Sequence, residues 1–169
     1  MIAQLNSHPE QIAVTHNTSN TLHNQIEIVD TPADQFCTEI VANALKIAST
    51  GQRVLIVQLL KGGIRQGHDR IINLAQNLDW IRCNLIRNIS ISDLNDLELN
   101  NFNQLWKHVR GATRSSEYSL VILDDLSLAI ELGLISVEAA TTFLTKLPAD
   151  LKIILTGTNP HPAILELIT

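Results

Sequence analysis

Two aspartates and a lysine directly follow apolar stretches of the chain, at positions where side chains can take part in chemistry. Asp124 and Asp125 come after the apolar residues 120–123, and Lys61 with Gly62 comes after residues 54–60. Carboxylates bind divalent cations, whereas a lysine beside glycine backbone N–H groups attracts an anion. The two aspartates are therefore candidates for binding a divalent ion or basic groups of a partner, and the loop at Lys61 and Gly62 is a candidate for holding a small anion.

The elements that must position these residues alternate between strands and helices. Short apolar runs predict strands at residues 26–29, 54–60, 80–86, 120–123 and 151–155. Apolar residues at helical spacing predict helices at residues 40–48, 71–78, 102–114 and 136–147, the last capped by Ser136, and a further helix follows Pro160. Residues 90–101 are polar and are expected to be irregular. Strands that are apolar throughout and separated by helices predict an α/β fold, a mostly parallel sheet with helices on both faces. In such a sheet the carboxyl ends of the strands converge on one crevice.

The length and composition fit one domain after a polar N-terminal segment. The chain has 169 residues, of which 45% are hydrophobic, enough for a single sizeable core. Residues 1–24 are rich in Asn, Gln, Ser, Thr and His without a sustained period, and we expect a mobile tail there. Residues 25–169 are predicted to form the domain.

The net charge, the apolar runs and the cysteines indicate which partners and which compartment to expect. A net charge of −5 argues against a nucleic-acid partner, since that needs a basic face. No apolar run approaches the roughly 20 residues of a membrane span, so no membrane partner is expected. Cys37 and Cys83 show neither metal-ligand spacing nor a disulfide framework. We therefore expect a cytoplasmic protein.

Three segments in order carry a resemblance to a known family. They are Val-Gln-Leu-Leu-Lys-Gly at residues 57–62, Val-Ile-Leu-Asp-Asp-Leu at residues 121–126 and Ile-Leu-Thr-Gly at residues 154–157. With Trp106-Lys107-His108 they resemble the ATP:corrinoid adenosyltransferase family, P-loop enzymes that attach a 5′-deoxyadenosyl group to cobalt. The resemblance runs from about residue 26 to the C-terminus. It implies a three-layer P-loop-NTPase-like domain, ATP and Mg²⁺ as cofactors of an active member, and a homodimer.

The phosphate-binding loop departs from the family pattern. The family has Gly-Asn-Gly-Lys-Gly-Lys-Thr-Thr where residues 31–38 read Thr-Pro-Ala-Asp-Gln-Phe-Cys-Thr, so only Thr38 remains. Pro32 has no N–H to offer a phosphate, Asp34 repels one, and Phe36 stands in place of the lysine. Thr158 likewise stands where the family has an arginine. We interpret these residues as a degenerate Walker A loop.

The segments that remain define a residual nucleotide and metal site. The resemblance places it at Thr38, Gln58, Lys61, Gly62, Asp124, Asp125, Thr156 and Gly157, with Asp124 as the candidate metal ligand and no catalytic residue assigned. Asp30 and Asp34 extend the carboxylates into an acidic rim, which favours a divalent ion or a basic protein partner over a triphosphate. The alternative is that these are solvated carboxylates at strand ends. Gly62 and Gly63 either hold a small anion or simply reverse the chain.

Three functions compete. The first is a non-catalytic relative of the adenosyltransferases that acts as an interaction or regulatory module and needs no cofactor. The second is an active cob(I)alamin adenosyltransferase that binds MgATP and corrinoid through a remodelled loop. It lacks the cationic groups that stabilise a departing triphosphate. The third is a binder of corrinoid or another planar ligand that reuses Trp80 and Trp106.

Overall fold

Strands and helices alternate along residues 25–32, 38–63 and 66–169, which are the residues that the computed structural model describes. The strands are β1 (Ile26–Asp30), β2 (Val54–Gln58), β3 (Ile72–Ala75), β4 (Leu78–Arg82), β5 (Leu120–Asp124) and β6 (Lys152–Gly157). The helices are α1 (Thr38–Ser49), α2 (Asp96–Ala112), α3 (Leu126–Glu131), α4 (Val137–Thr145) and α5 (Pro162–Ile168). They build one sheet in the order β1-β6-β5-β2-β4-β3, parallel except for the antiparallel edge strand β3.

Helices cover both faces of the sheet, which confirms the predicted α/β fold. Side chains alternate along each strand, so Ile56 of β2 packs toward α1 while its neighbour Val57 packs toward α2 to α5. Ile40, Ala44 and Ala48 are the buried positions of α1, at the spacing that keeps one helical face on the sheet. In the described part of the chain, no helix has both the length and the apolar character needed to cross a membrane.

The helix predicted at residues 71–78 is wrong, because β3 and β4 form an antiparallel hairpin there. The turn between them uses Asn77 at a positive φ of 65°, a conformation that Asn adopts more readily than most residues. Its backbone carbonyl accepts from Val54 N at 2.8 Å. Ile71 and Leu74 stay 41% and 43% exposed, so the apolar spacing that suggested a helix does not mark a buried face.

Other boundaries also differ from the predictions. The helix expected from residue 102 begins at Asp96, because Asn95 and Glu98 form a capping box in the stretch expected to be irregular. The strand expected to reach residue 86 ends at Arg82, and the one expected to reach residue 60 ends at Gln58. Helix α3 was not predicted. Ser136 does cap α4, since its hydroxyl accepts from Ala139 N at 3.1 Å.

Three of the expectations fall on residues that lie wholly or mostly outside the described part of the chain. They are the mobile tail at residues 1–24, the placement of Asp34 in the acidic rim and the degenerate Walker A loop, of which residues 33–37 are not described. All three stay predictions, as does the division of the chain into tail and domain.

Candidate functional site

Four polar side chains form a row across the carboxyl ends of four adjacent strands, on the sheet face that carries α1. The strand register pairs Arg82 of β4 with Gln58 of β2, Gln58 with Asp124 of β5, and Asp124 with Thr156 of β6. In each strand, this polar residue is an even number of positions from the apolar residues that face α1. Side chains alternate between the two faces of a sheet, so all four polar side chains point toward the face that carries α1. Register and alternation together build the row.

Asp124 is the centre of this polar row and is almost fully buried, with 1% of its surface exposed. Its Oδ1 accepts from the Thr156 hydroxyl at 2.7 Å. Its Oδ2 accepts from Lys61 Nζ at 2.6 Å and from Gln58 Nε2 at 3.1 Å. Burial of a carboxylate is costly unless it is paired and hydrogen-bonded, and here three donors meet that requirement.

Arg82 belongs to the row, although the sequence reasoning missed it. Its Nε donates to Gln58 Oε1 at 2.7 Å, and its guanidinium lies 4.2 Å from the centre of the Trp80 ring. Burial lowers the pKa of Arg82 from its ordinary value, and the charge of Asp124 acts in the opposite direction. The signal that could have found it is the i, i+2, i+4 pattern of Leu78, Trp80 and Arg82, which marks one face of a strand.

Asp125 lies next to the row in a strained conformation. Its φ of 65° and ψ of 28° are left-handed, which is uncommon outside glycine. Its Oδ2 is 3.6 Å from Lys61 Nζ. Burial, with the adjacent charge of Asp124, raises the pKa of Asp125 to about 6 although Lys61 opposes the shift. The carboxyl group therefore titrates close to neutrality.

Gly157 is held by Thr31 at the end of β1. The Thr31 hydroxyl accepts from Gly157 N at 2.9 Å, and Thr31 N donates to Gly157 O at 3.1 Å. Gly157 has a φ of 127°, and a Cβ there would lie 3.1 Å from Asp125 Oδ1, so both backbone conformation and space favour glycine. The N–H of Gly157 therefore has an acceptor within the protein.

The glycines after Lys61 serve close packing of the backbone. A Cβ on Gly62 would lie 2.4 Å from the carbonyl oxygen of Leu85. Gly62 N donates to Asn88 Oδ1 at 3.2 Å, and Gly63 N donates to Leu85 O at 2.9 Å. Both N–H groups thus hold the segment after β4 in place. This arrangement agrees with the interpretation that the two glycines reverse the chain.

The remaining predicted site residues lie at the same edge of the sheet. Thr38 is the first residue of α1, and Asp30 is exposed at the end of β1, opposite Gly157 in register. Asp124 and Asp125 are buried and face Lys61, so among the described members of the predicted acidic rim only Asp30 is exposed.

The donor set does not fit a divalent cation as it stands. Both oxygens of Asp124 are occupied by protein donors, and one of those donors is the ammonium of Lys61. Among the described residues, no group of three or more His, Cys, Asp or Glu side chains is arranged to hold a metal. Since Mg²⁺ takes oxygen ligands and rejects a neighbouring ammonium, Lys61 would have to move before Asp124 could bind it.

The two tryptophans of the planar-ligand interpretation lie on opposite faces of the sheet, and the interpretation itself stays a prediction. Trp80 packs on the α1 side of the sheet, whereas Trp106 lies in the core on the opposite side. Trp106 is 6% exposed and meets the ring of Phe143 edge-on at 5.0 Å. A single planar molecule cannot contact both.

A mostly parallel sheet with a polar row at its carboxyl edge defines an α/β domain of the nucleotide-binding type. The family ATP:corrinoid adenosyltransferase BtuR/CobO/CobP matches residues 37–168, so the chain belongs to this family and the sequence resemblance is confirmed. The match begins near the end of the segment 31–38. Six of those eight residues precede it.

A longer bacterial protein is also similar to this chain. Uncharacterized protein all2391 from Nostoc sp. (strain PCC 7120 / SAG 25.82 / UTEX 2576) is 27% identical over 125 residues. The alignment covers 70% of this chain and 33% of that protein. The chain therefore spans about a third of the length of the curated relative that it matches.

Proposed function

We propose that this family member does not transfer adenosyl groups and acts as an interaction or regulatory module. The observation that carries the proposal is the composition of residues 31–38, which contain no glycine and no lysine. A P-loop grips phosphates because its glycines let consecutive N–H groups converge on them, while its lysine neutralises charge. A segment with Pro32, Asp34 and Phe36 lacks those groups.

The contacts around the polar row support this proposal. Lys61 pairs with Asp124, and the N–H of Gly157 donates to Thr31. A nucleotide would have to displace these internal partners, at a cost that its own contacts must exceed. The family keeps a lysine at the position of Lys61, so this ion pair supports the proposal less strongly than the phosphate loop does.

Calorimetry with MgATP tests the proposal. We expect no saturable heat at millimolar MgATP, with or without a reduced corrinoid. A variant in which residues 32–37 are replaced by Asn-Gly-Lys-Gly-Lys-Thr keeps Thr31 and its bonds to Gly157, and it should gain saturable binding. Saturable binding by the unaltered chain, together with adenosylation of the corrinoid followed by absorbance, would establish the second function instead.

The strained backbone of Asp125 is the observation that favours this second function, an active cob(I)alamin adenosyltransferase using ATP and Mg²⁺. Left-handed non-glycine residues cluster at active sites, where the surrounding structure maintains them. Asp125 keeps that conformation beside Asp124 and Lys61. In an active enzyme, Asp124 would turn from Lys61 to the metal ion.

We propose that the partner is a cytoplasmic protein with a basic surface. The net charge of −5 and the exposed Asp30 at the carboxyl edge support a basic partner. We expect a fluorescent decalysine peptide to bind the chain, and Asp30→Lys to weaken it several-fold in an anisotropy titration. Asp150→Lys is the matched control, since Asp150 is exposed just before β6 at the opposite end. Equal losses in both variants would mean unspecific attraction.

A homodimer is the other assembly that we propose, because the family resemblance implies it. Sedimentation velocity on the purified chain measures it directly. A sedimentation coefficient that stays at the monomer value as the protein concentration is raised would exclude it.

A further inference from the structure

A cleft of about 790 Å³ opens at the end of the sheet opposite to the polar row. It lies between α2 and the β3–β4 hairpin, and Arg53, Asp79 and Tyr118 reach it from the amino ends of β2, β4 and β5. Ligand sites in proteins commonly have volumes of roughly 300–1,000 Å³. No residue of the polar row, and none of the described residues 31, 32 and 38 of the phosphate-loop segment, contributes to its lining.

The inner wall of the cleft is a satisfied ion-pair network. Asp79 is 7% exposed and accepts from Arg53 Nη2 at 2.8 Å, Asn73 Nδ2 at 2.9 Å and the Tyr118 hydroxyl at 2.9 Å. Burial alone would raise the pKa of Asp79, but these donors outweigh it and hold the pKa below its ordinary value. Arg53 also pairs with Glu117. These charges therefore stay in place across the neutral pH range.

The outer wall of the cleft presents basic side chains. Lys107 and His108 project from α2, and His68 faces them from the segment before β3, with the two imidazole centres 6.4 Å apart and tilted by 52°. Burial and the neighbouring His68 lower the pKa of His108, while the charge of Glu117, which also lines the cleft, acts in the opposite direction. Within the described part of the chain, no carboxylate forms an ion pair with any of these three residues. An anion between the imidazoles would relieve their mutual repulsion.

A glycine keeps the space beside these basic groups open. One side of the cleft is lined by a stripe of α2, which consists of Gln104, Lys107, His108, Gly111 and Ala112, and by Ser115 just beyond the end of the helix. A Cβ on Gly111 would meet no atom within 4 Å. Glycine weakens a helix relative to alanine, so neither packing nor helix stability accounts for it. Its effect is to leave room along the helix, next to the exposed Ile71.

We propose that this cleft binds a small organic anion, whose charged group lies between His68, Lys107 and His108 and whose apolar body lies along Gly111 and Ile71. The charged group is a carboxylate, a phosphate or a sulfonate. Arg53, Asp79, Glu117 and Tyr118 are held by one another, so the basic outer wall provides the charge that the ligand meets. This site is independent of nucleotide binding at the other end of the sheet.

Benzenesulfonate and its uncharged analogue benzenesulfonamide are the probes that test the proposal. Titrations followed by the imidazole resonances of the full chain should show saturable shifts at His68 and His108 with the sulfonate. We expect the sulfonamide to bind about tenfold or more weakly, because a hydrogen bond to a charged group is lost. Equal affinity for the two probes, or no saturable shift with the sulfonate at pH 6, would overturn the proposal.

Two pairs of variants locate the binding. Gly111→Leu fills the cleft and should abolish sulfonate binding, whereas Gly111→Ala should retain it within about twofold and strengthen the helix. Lys107→Gln, at an exposed position, should weaken binding about tenfold, whereas Lys46→Gln on α1 should not. Since both lysines are on the surface, these variants test the proposal even if Gly111→Leu fails to fold. Unchanged binding in Lys107→Gln would overturn it.

The pH dependence provides a further test. Protonated imidazoles attract an anion more than neutral ones do, so sulfonate affinity should rise as the pH falls from about 7.5 to about 5.5. The double variant His68→Gln and His108→Gln should lose this dependence while Asp79, Glu117 and Arg53 remain charged. A dependence that survives in the double variant would contradict the proposed location of the charge.

Discussion

Asp125 is less closely neutralised by Lys61 than Asp124 is, although the two aspartates are adjacent in the chain. Lys61 Nζ is 2.6 Å from Asp124 Oδ2 but 3.6 Å from Asp125 Oδ2. The ammonium is thus engaged mainly by Asp124, and the charge of Asp124 itself disfavours a second carboxylate. Of these two aspartates, Asp125 is therefore the one whose carboxyl group resists ionisation.

The Asp125→Asn substitution should stabilise the protein above neutral pH. The pKa of Asp125 rises from 3.8 to about 6 on folding, so the folded chain holds its proton more tightly and the unfolding free energy falls as the pH rises through that range. Asn removes the charge and tolerates the positive φ. We expect a gain of up to about 3 kcal/mol above pH 7.

Urea denaturation at several pH values measures this gain. The difference between Asp125→Asn and the unaltered chain should shrink as the pH falls and vanish below about pH 3, where the carboxyl group is protonated in both the folded and the unfolded chain. Asp30→Asn, at an exposed strand end, is the control and should change the unfolding free energy by no more than about 0.5 kcal/mol. A variant less stable than the unaltered chain at pH 8 would mean that the carboxylate form is favoured by contacts with Lys61.

At the scale of the elements, strand register is what creates the polar row. Gln58 lies opposite both Arg82 and Asp124, and a shift of β2 by one residue would turn its side chain to the other face. The apolar residues on each side of β2 hold the register, because both faces of this strand are buried. The alternation of side chains along β2 therefore determines both the polar row and the packing of the core.

Helix α2 is stabilised at its N-terminus by a capping box that lies in a polar segment of the chain. Glu98 N donates to Asn95 Oδ1 at 2.9 Å, and Asn95 N donates to Glu98 Oε2 at 3.1 Å. Asn95→Ala removes one of these bonds and should lower the unfolding free energy by about 1 kcal/mol in chemical denaturation. Asn100→Ala, at an exposed position of the same helix, should stay within about 0.5 kcal/mol of the unaltered chain. Equal effects would mean that the cap contributes nothing.

At the scale of the whole molecule, the described contacts of the fold begin at Gln25. Its side chain donates to Pro148 O at 2.7 Å, and its carbonyl accepts from Ile153 N at 2.7 Å. We propose that residues 25–169 fold as one cooperative unit without the first 24. A chain lacking residues 1–24 should then keep its melting temperature within about 2 °C, a shift that corresponds to well under 1 kcal/mol.

A second truncation is the control for this prediction. Removing residues 1–27 also deletes Gln25 and the buried Ile26 of β1, and it should lower the melting temperature by many degrees. Calorimetry on the three chains makes the comparison. A large loss on removing residues 1–24 alone would show that the N-terminal segment belongs to the cooperative unit.

The amino-acid sequence by itself determined the class of fold and the family. It also determined the order in which the apolar segments of the parallel strands follow one another along the chain. It further predicted that Gln58, Asp124 and Thr156 belong to one site, and these three residues do lie together in the polar row. These predictions follow from local features: uninterrupted apolar runs, the polar residues that end them, and short motifs in a fixed order. The β3–β4 hairpin escaped prediction because Ile71, Ile72 and Leu74 fit a helical period as well as an edge strand.

Only the tertiary structure decided which groups neutralise one another. Lys61 is 63 residues from Asp124 in the chain, and Arg53 is 26 residues from Asp79. No local pattern specifies such pairs, since they depend on strand register and on which side chains lose contact with water. The basic wall of the cleft likewise exists because the fold brings His68 within 6.4 Å of His108 on α2, measured between ring centres. The spacing of apolar residues along the chain shows whether a segment has the period of a helix or of a strand. Which charged groups pair, and which side chains are buried, depends on contacts between elements that are distant in the chain.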